Sequence, residues 1–251
     1  MNLVLIETNE IDGAGSAYLS GARAAHLLNV LHAAPGHEVL VGVLDGPRGV
    51  ATVQSISENA VALHCALEPG IPPRPLVDLL LALPRPKVLR RLWAQIAALG
   101  VGRIILTNAE KVERNYFDTH LLDPGTYRPL LIEGLQQARD TRLPIVSIHR
   151  QFRVLVEDQL DNLSGPGLRV VAHPLATTPL GDLIGGSRER ILLAIGPEGG
   201  WNAFELELLQ AHGFRLAGMG PRTLRTDTAC VALLALAHAA DSSDSRRQTS
   251  D

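Results

Sequence analysis

Ile191-Leu-Leu-Ala-Ile195 followed by Gly196-Pro197-Glu198-Gly199-Gly200, and then Met219-Gly220-Pro221-Arg222-Thr223-Leu224-Arg225-Thr226-Asp227-Thr228-Ala229, are the two runs that decide how this chain folds. The first five residues are a continuous apolar run, the pattern of a central parallel strand covered on both faces, and Gly196 ends it with a residue free of the usual backbone limits. A tight loop must follow. Asn202 and Glu205 stand three apart as an N-cap and its reciprocal acceptor, so a helix is predicted from Ala203 to Gly213 with Phe204, Leu208 and Ala211 as its inner stripe. Residues 214–217 return as a strand that Gly218-Met-Gly-Pro-Arg222 cannot continue, which sends a second loop out of the sheet. Thr226 or Asp227 caps a last helix whose body, residues 229–237, is apolar all round and needs cover on every side, from a dimer partner or a knotted chain. Two glycine-containing loops at the carboxyl ends of neighbouring parallel strands frame the crevice where open α/β sheets bind ligands.

Working outward, residues 76–83 read as a buried strand, 87–99 as a helix stopped by Gly100, 104–107 as a strand, 126–138 as a long helix, and 145–148 and 168–172 as further strands. Alternating strands and helices imply an α/β fold with a parallel sheet. Upstream, Glu68-Pro-Gly-Ile-Pro-Pro-Arg-Pro75 sets four prolines in eight residues and marks a linker over 71–75. Residues 1–70 change grammar: short apolar runs at 3–6, 39–44, 50–56 and 61–67, separated by turn residues, predict a small β-barrel domain. Residues 22–31 are the exception, with Ala25, Leu28 and Leu31 at helical spacing. A second, α/β domain would then occupy 76–240, and the Ser-, Asp- and Arg-rich tail 241–251 reads as disordered.

Composition bounds the possibilities. With 251 residues, 46% of them hydrophobic and only 4% aromatic, the core must be built mainly of aliphatic side chains. Cys65 and Cys230 are too few for a disulfide framework and too isolated for a zinc site, so both read as buried structural residues and no metal is expected. The first residues carry no secretory pattern, and no run of about 18 apolar residues could span a bilayer; a cytoplasmic protein without a membrane partner is the expectation. A P-loop is absent, and Gly100-Val-Gly102 precedes its strand and lacks the third glycine of a dinucleotide fingerprint. The formal net charge is −3. Residues 1–70 hold Arg23 and Arg48 against seven acidic residues, whereas 84–114 gathers Arg85, Lys87, Arg90, Arg91, Arg103, Lys111 and Arg114 against Glu110 and Glu113. That segment is either a surface that meets phosphates or a solvated helix face.

The order strand, GPEGG, capped helix, strand, MGPRTLRTDTA, apolar helix closely resembles the ribosomal small-subunit methyltransferase E family of the SPOUT class. Weaker agreement at His26-Leu-Leu-Asn-Val-Leu31, Pro35-Gly36-His-Glu-Val39 and Leu99-Gly100-Val101 extends the resemblance over nearly the whole chain. The resemblance implies a PUA-like barrel followed by a SPOUT parallel sheet with a C-terminal trefoil knot, assembled as a homodimer. It implies S-adenosylmethionine as cofactor, held mainly by backbone around His173, Ile195, Gly196, Gly199, Gly200, Met219, Gly220, Thr223 and Leu224. The implied reaction methylates N3 of a uridine in 16S rRNA, within the RNA or the ribosomal particle.

Methylating a uracil nitrogen requires a base for the N3 proton and cations for the flanking carbonyl oxygens. Glu198 and Asp227 are the carboxylate candidates, the latter also readable as a helix cap. Arg225 is the candidate catalytic cation, with Arg222, Arg85 and Lys87 as candidate RNA contacts. This chain departs from the family's pattern where RNA would be met. Residues 1–21 contain no Lys or Arg, Leu83-Pro-Arg-Pro-Lys87 stands where a Pro-Lys-Gly element is usual, Ala98 replaces a glutamate, and Gln136-Gln137-Ala-Arg139 matches the corresponding stretch only in part. Two alternatives therefore stay open: a SPOUT paralogue with another RNA target, and a non-catalytic protein of the same fold that binds RNA or a partner.

Overall fold

The computed structural model describes residues 3–185 and 189–242. They form two compact units, residues 3–74 with 132–143, and residues 75–131 with 144–185 and 189–242. The division after Arg74 falls inside the stretch read as a linker, but the first unit also recruits 132–143, which a contiguous division gives to the second.

The first unit holds β1 (Val4–Ile6), β2 (Ser16–Ser20), α1 (Gly21–Asn29), β3 (Glu38–Val43), β4 (Arg48–Ile56) and β5 (Ala60–Leu67) in a sheet ordered β1-β3-β4-β5-β2. Only the β1–β3 pair is parallel. Period-two alternation sends Ala17 and Leu19, Ala51 and Val53, and Val61, Leu63 and Cys65 to one buried face, joined by Ala24 and Leu27 of α1. β2 is absent from the sequence reading because its few apolar residues sit beside a local device: the Asp12 carboxylate accepts the Ala14 and Ser16 amide hydrogens and turns the chain into the strand. The helix that follows starts directly at Gly21, which sets its phase so that Ala24 and Leu27 face inward while Ala25 and Leu31 are exposed.

The second unit is a six-stranded, all-parallel sheet of β6 (Val77–Ala82), β7 (Arg103–Thr107), β8 (Ile145–His149), β9 (Leu168–Ala172), β10 (Ile191–Ile195) and β11 (Phe214–Ala217), ordered β11-β9-β10-β6-β7-β8. β10 lies between two strands that precede it, β6 and β9. Every residue of β6 and of β10 is buried, as the unbroken apolar run of β10 and the nearly unbroken one of β6 require. Asp78, 1% exposed, is the polar exception in β6; burial pushes its carboxyl up from the usual range and the Arg190 guanidinium, 3.0 Å away, opposes that rise.

α2 (Pro86–Leu99) buries Leu89, Leu92, Trp93, Ile96 and Ala97 at helical spacing and ends at Gly100, whose φ of 83° is left-handed. Trp93 donates its indole N–H to the Leu121 carbonyl at 3.2 Å. α3 (Pro124–Ala138) is divided between the two units. α4 (Phe152–Val154) and α5 (Leu160–Ser164) flank a π-turn, Leu155–Gln159, and α6 (Leu180–Ile184) follows β9. α7 (Ala203–Ala211) connects β10 to β11, and α8 (Thr226–Ser242) packs against α2 and α6. The helix α8 runs on through Asp241 and Ser242, where a disordered tail is expected from sequence; residues 243–251 lie outside the described residues. No helix among the described residues is long and apolar enough to cross a membrane.

Candidate active site

β9, β10 and β11 release three loops at the same carboxyl edge of the sheet, and these enclose a cavity of about 400 Å³. All nine residues singled out by the resemblance for the cofactor, His173, Ile195, Gly196, Gly199, Gly200, Met219, Gly220, Thr223 and Leu224, line it. Glu198 and Arg222 line it as well. Arg225 and Asp227 stand just beyond: Arg225 is exposed, and its carbonyl accepts the Ala229 N–H at 2.8 Å, so it holds the N-cap position of α8. Thr226, expected as a cap, is instead a buried first helical residue. The Asp227 carboxylate pairs with Arg91 of α2 at 2.7 Å. Arg85 precedes α2, and its backbone N–H donates to Glu198 Oε1 at 3.2 Å; Lys87 lies in the first turn of that helix.

The first loop is held by backbone bonds. The Gly200 N–H donates to the Pro197 carbonyl at 2.8 Å, and the turn needs a positive φ of 70° at Gly200. Gly199 is required by a neighbour: a Cβ there would come within 2.8 Å of the Lys111 side chain, which crosses it to donate from Nζ to the Gly199 carbonyl at 2.8 Å. Trp201 lines the cavity, is 5% exposed and meets the Phe152 ring at a centroid separation of 5.3 Å. Its buried indole N–H has no partner among the described residues.

Glu205 fixes where this loop goes. Its side chain is part of the capping box that the sequence announces, Asn202 Oδ1 accepting the Glu205 N–H and Glu205 Oε2 accepting the Asn202 N–H, both at 2.8 Å. Glu205 Oε1 also accepts the Glu110 N–H at 2.7 Å, from the loop after β7 that carries Lys111. One carboxylate thus holds two loops in register. That anchorage rotates α7 by one position from the expected stripe: Glu205 and Leu209 are buried, while Phe204 is 53% exposed.

The other two loops are stitched to each other. The His173 N–H donates to the Ala217 carbonyl at 3.0 Å, the Gly218 N–H to the Thr178 carbonyl at 2.9 Å, and the Leu180 N–H to the Gly218 carbonyl at 2.9 Å. Lys111, Leu175 and Trp201 are cavity residues that sequence reasoning missed. They come from segments whose meeting is decided by the sheet order, and only the tryptophan, next to GPEGG, carried a local signal. Among the described residues no group of three or more His, Cys, Asp or Glu is placed to hold a metal ion.

Removing the Glu205 acceptor leaves the Glu110 and Asn202 amides without their partner, at about 1–3 kcal/mol for each group left unsatisfied. Glu205→Ala is therefore expected to lower stability by about 2–4 kcal/mol in urea unfolding, with Glu205→Gln, which keeps one acceptor oxygen, in between. A loss below about 0.5 kcal/mol for Glu205→Ala would mean that the two loops hold their places without the carboxylate.

Comparison with known proteins gives this arrangement a family. Residues 72–238 match the family described as the RNA methyltransferase domain. Over 95% of this chain and 92% of its own length, the ribosomal RNA small subunit methyltransferase E of Treponema pallidum is 33% identical. A methyltransferase of Legionella pneumophila solved with S-adenosylmethionine bound superposes with a TM-score of 0.76 at 21% identity, over 95% of this chain and 97% of that one. The ribosomal RNA small subunit methyltransferase E of Neisseria gonorrhoeae, also bound to S-adenosylmethionine, gives 0.73 at 20% identity, over 93% and 95%. Cavity, sheet order and sequence match agree, and the chain belongs to the ribosomal RNA small-subunit methyltransferase E family of RNA methyltransferases.

Proposed function

We propose that this protein binds S-adenosylmethionine in the cavity at the β9–β10–β11 edge and methylates small-subunit ribosomal RNA, at N3 of a uridine in 16S rRNA, in the cytoplasm. The observation that carries the reading is the convergence of three loops, distant in sequence, on one cavity lined by all nine residues expected to hold the cofactor. Its volume lies in the range of small-molecule sites. Ile195, Met219, Leu224 and Leu233 give apolar walls suited to a flat heterocycle, exposed backbone at the glycines offers hydrogen bonds, and the Trp201 indole is a buried donor still to be matched. The residues present fit the cofactor.

S-adenosylmethionine supplies the methyl group as an electrophile. The chain's own task is to orient the base, remove the N3 proton and stabilise the charge this leaves on the ring. Glu198 is the better placed of the two carboxylates, since it lines the cavity and has Oε2 free of the Arg85 contact, whereas Asp227 is engaged by Arg91. Glu198 takes the proton; Arg225 and Arg222 lie against the uracil oxygens or the flanking phosphate.

The architecture is read in the same way. The insertion of β10 between β6 and β9 supports a trefoil knot that draws the cavity loops through one another. The alternating buried face of the first unit supports a PUA-like barrel. A homodimer is supported by α8, which buries Cys230, Leu233, Leu234 and Ala237 yet leaves Leu236 41% exposed beside Ala235, Met219 and Leu224. Such an apolar face is covered by a second copy.

One observation favours the alternative of a different RNA target. The first unit contains five arginines and no lysine. Arg23 is held by Glu10, Arg74 and Arg142 by Asp45, and Arg48 by the Arg139 carbonyl. Little positive charge is left there to meet phosphates, so RNA contact falls to residues 84–114 and to Arg222 and Arg225.

Arg225→Ala is expected to leave S-adenosylmethionine affinity within about twofold by calorimetry while methyl transfer to small ribosomal subunits falls about 100-fold or more. Equal loss of both would assign Arg225 to the pocket wall, and absence of binding by the unaltered protein would remove both enzymatic readings. Leu236→Glu is expected to convert a dimer into monomers in sedimentation; an unchanged sedimentation coefficient would refute the α8 interface.

A further inference from the structure

Leu175 is 84% exposed, more than any other large hydrophobic residue described. It stands at the rim of the cavity, which it lines together with Lys111, Met219 and Arg222. The backbone on either side of it is fixed. Its own N–H donates to His173 Nδ1 at 3.3 Å, and the next amide, from Ala176, donates to the His173 carbonyl at 3.1 Å. Beyond it Thr178 and Pro179 are tied to Gly218 by the paired backbone bonds and a parallel bridge. The loop is thus pinned on both sides of a leucine that projects into solvent beside a binding cavity.

The N3 atom of uracil lies on the edge used for base pairing, so a uridine enters a cavity of this kind with that edge unpaired and its ring out of any stack. Proteins that part stacked bases frequently insert an apolar side chain between them, and enzymes that act on a base take it out of its stack. A leucine presented on a pinned loop, with the exposed Arg222 on the same rim to meet an adjoining phosphate, suits that need.

We infer that Leu175 is the wedge of this enzyme: as the target uridine enters the cavity, Leu175 occupies the place it vacates and holds the neighbouring bases apart. It is a positioning residue. The inference rests on the methyl-transfer reading above.

The test uses the full-length protein and small ribosomal subunits from cells lacking it, with single-turnover transfer of labelled methyl as readout. Leu175→Ala is expected to slow transfer about tenfold or more, with S-adenosylmethionine affinity and sedimentation unchanged and with Leu175→Met restoring most of the rate. An undiminished rate for Leu175→Ala overturns the wedge. So does weakened cofactor binding, which would make Leu175 a cavity wall, or a shift to a smaller species, which would make it a subunit contact. If the unaltered protein transfers no methyl to these particles, the functional reading falls and the wedge with it; if it does and Leu175→Ala equals it, the wedge alone falls.

Discussion

The site depends on the burial of β10 between β6 and β9. Ile191 to Ile195 are at most 3% exposed, and a fully buried large aliphatic side chain contributes about 1.5–3 kcal/mol. Pairing on both edges satisfies the strand's backbone groups. Because the sheet is parallel, β9, β10 and β11 all end on one side, so the three loops cannot avoid meeting there. The cavity is a consequence of strand order before it is a property of any side chain.

What then shapes the cavity is mostly backbone. Gly199 admits the Lys111 chain, Gly200 takes a turn other residues resist, and Glu205 spends its carboxylate on two amides of different loops. Side chains with chemistry to offer are few and sit at the rim: Glu198 and Arg222 on the cavity, Arg225 just outside it. Such a division suits a reaction in which the bound donor is already reactive and the protein supplies placement, a proton acceptor and positive charge.

Much of this was legible in the sequence. Apolar runs, broken only by Asp78 in β6, marked β6 and β10, Gly100 the end of α2, and Asn202 with Glu205 the start of α7. The nine cavity residues came from a family pattern; strand and glycine spacing pointed to two loops of one crevice but not to β9 lying between their strands and adding a third. The misses have physical causes. Helix phase failed in part at α1, where Leu28 packs on the core but Ala25 and Leu31 are exposed, and at α7, where a charged residue takes the inner position because two loop amides need its oxygens. β2, bounded by Ser16 and Ser20, was too polar to stand out. The Asp227–Arg91 pair, the Lys111 crossing and the exposure of Leu175 arise between segments far apart in the chain, where periodicity carries no signal.

Charge divides the protein along another line. The second unit carries the free cations near the site, while the arginines of the first are largely engaged within it. Whether 16S rRNA is the target is decided by mass mapping of small-subunit RNA from cells with and without the gene. The account predicts one N3-methyluridine in 16S rRNA that vanishes on deletion and returns when the purified protein and S-adenosylmethionine are added to the isolated subunits. An unaltered set of methyluridines after deletion would contradict it.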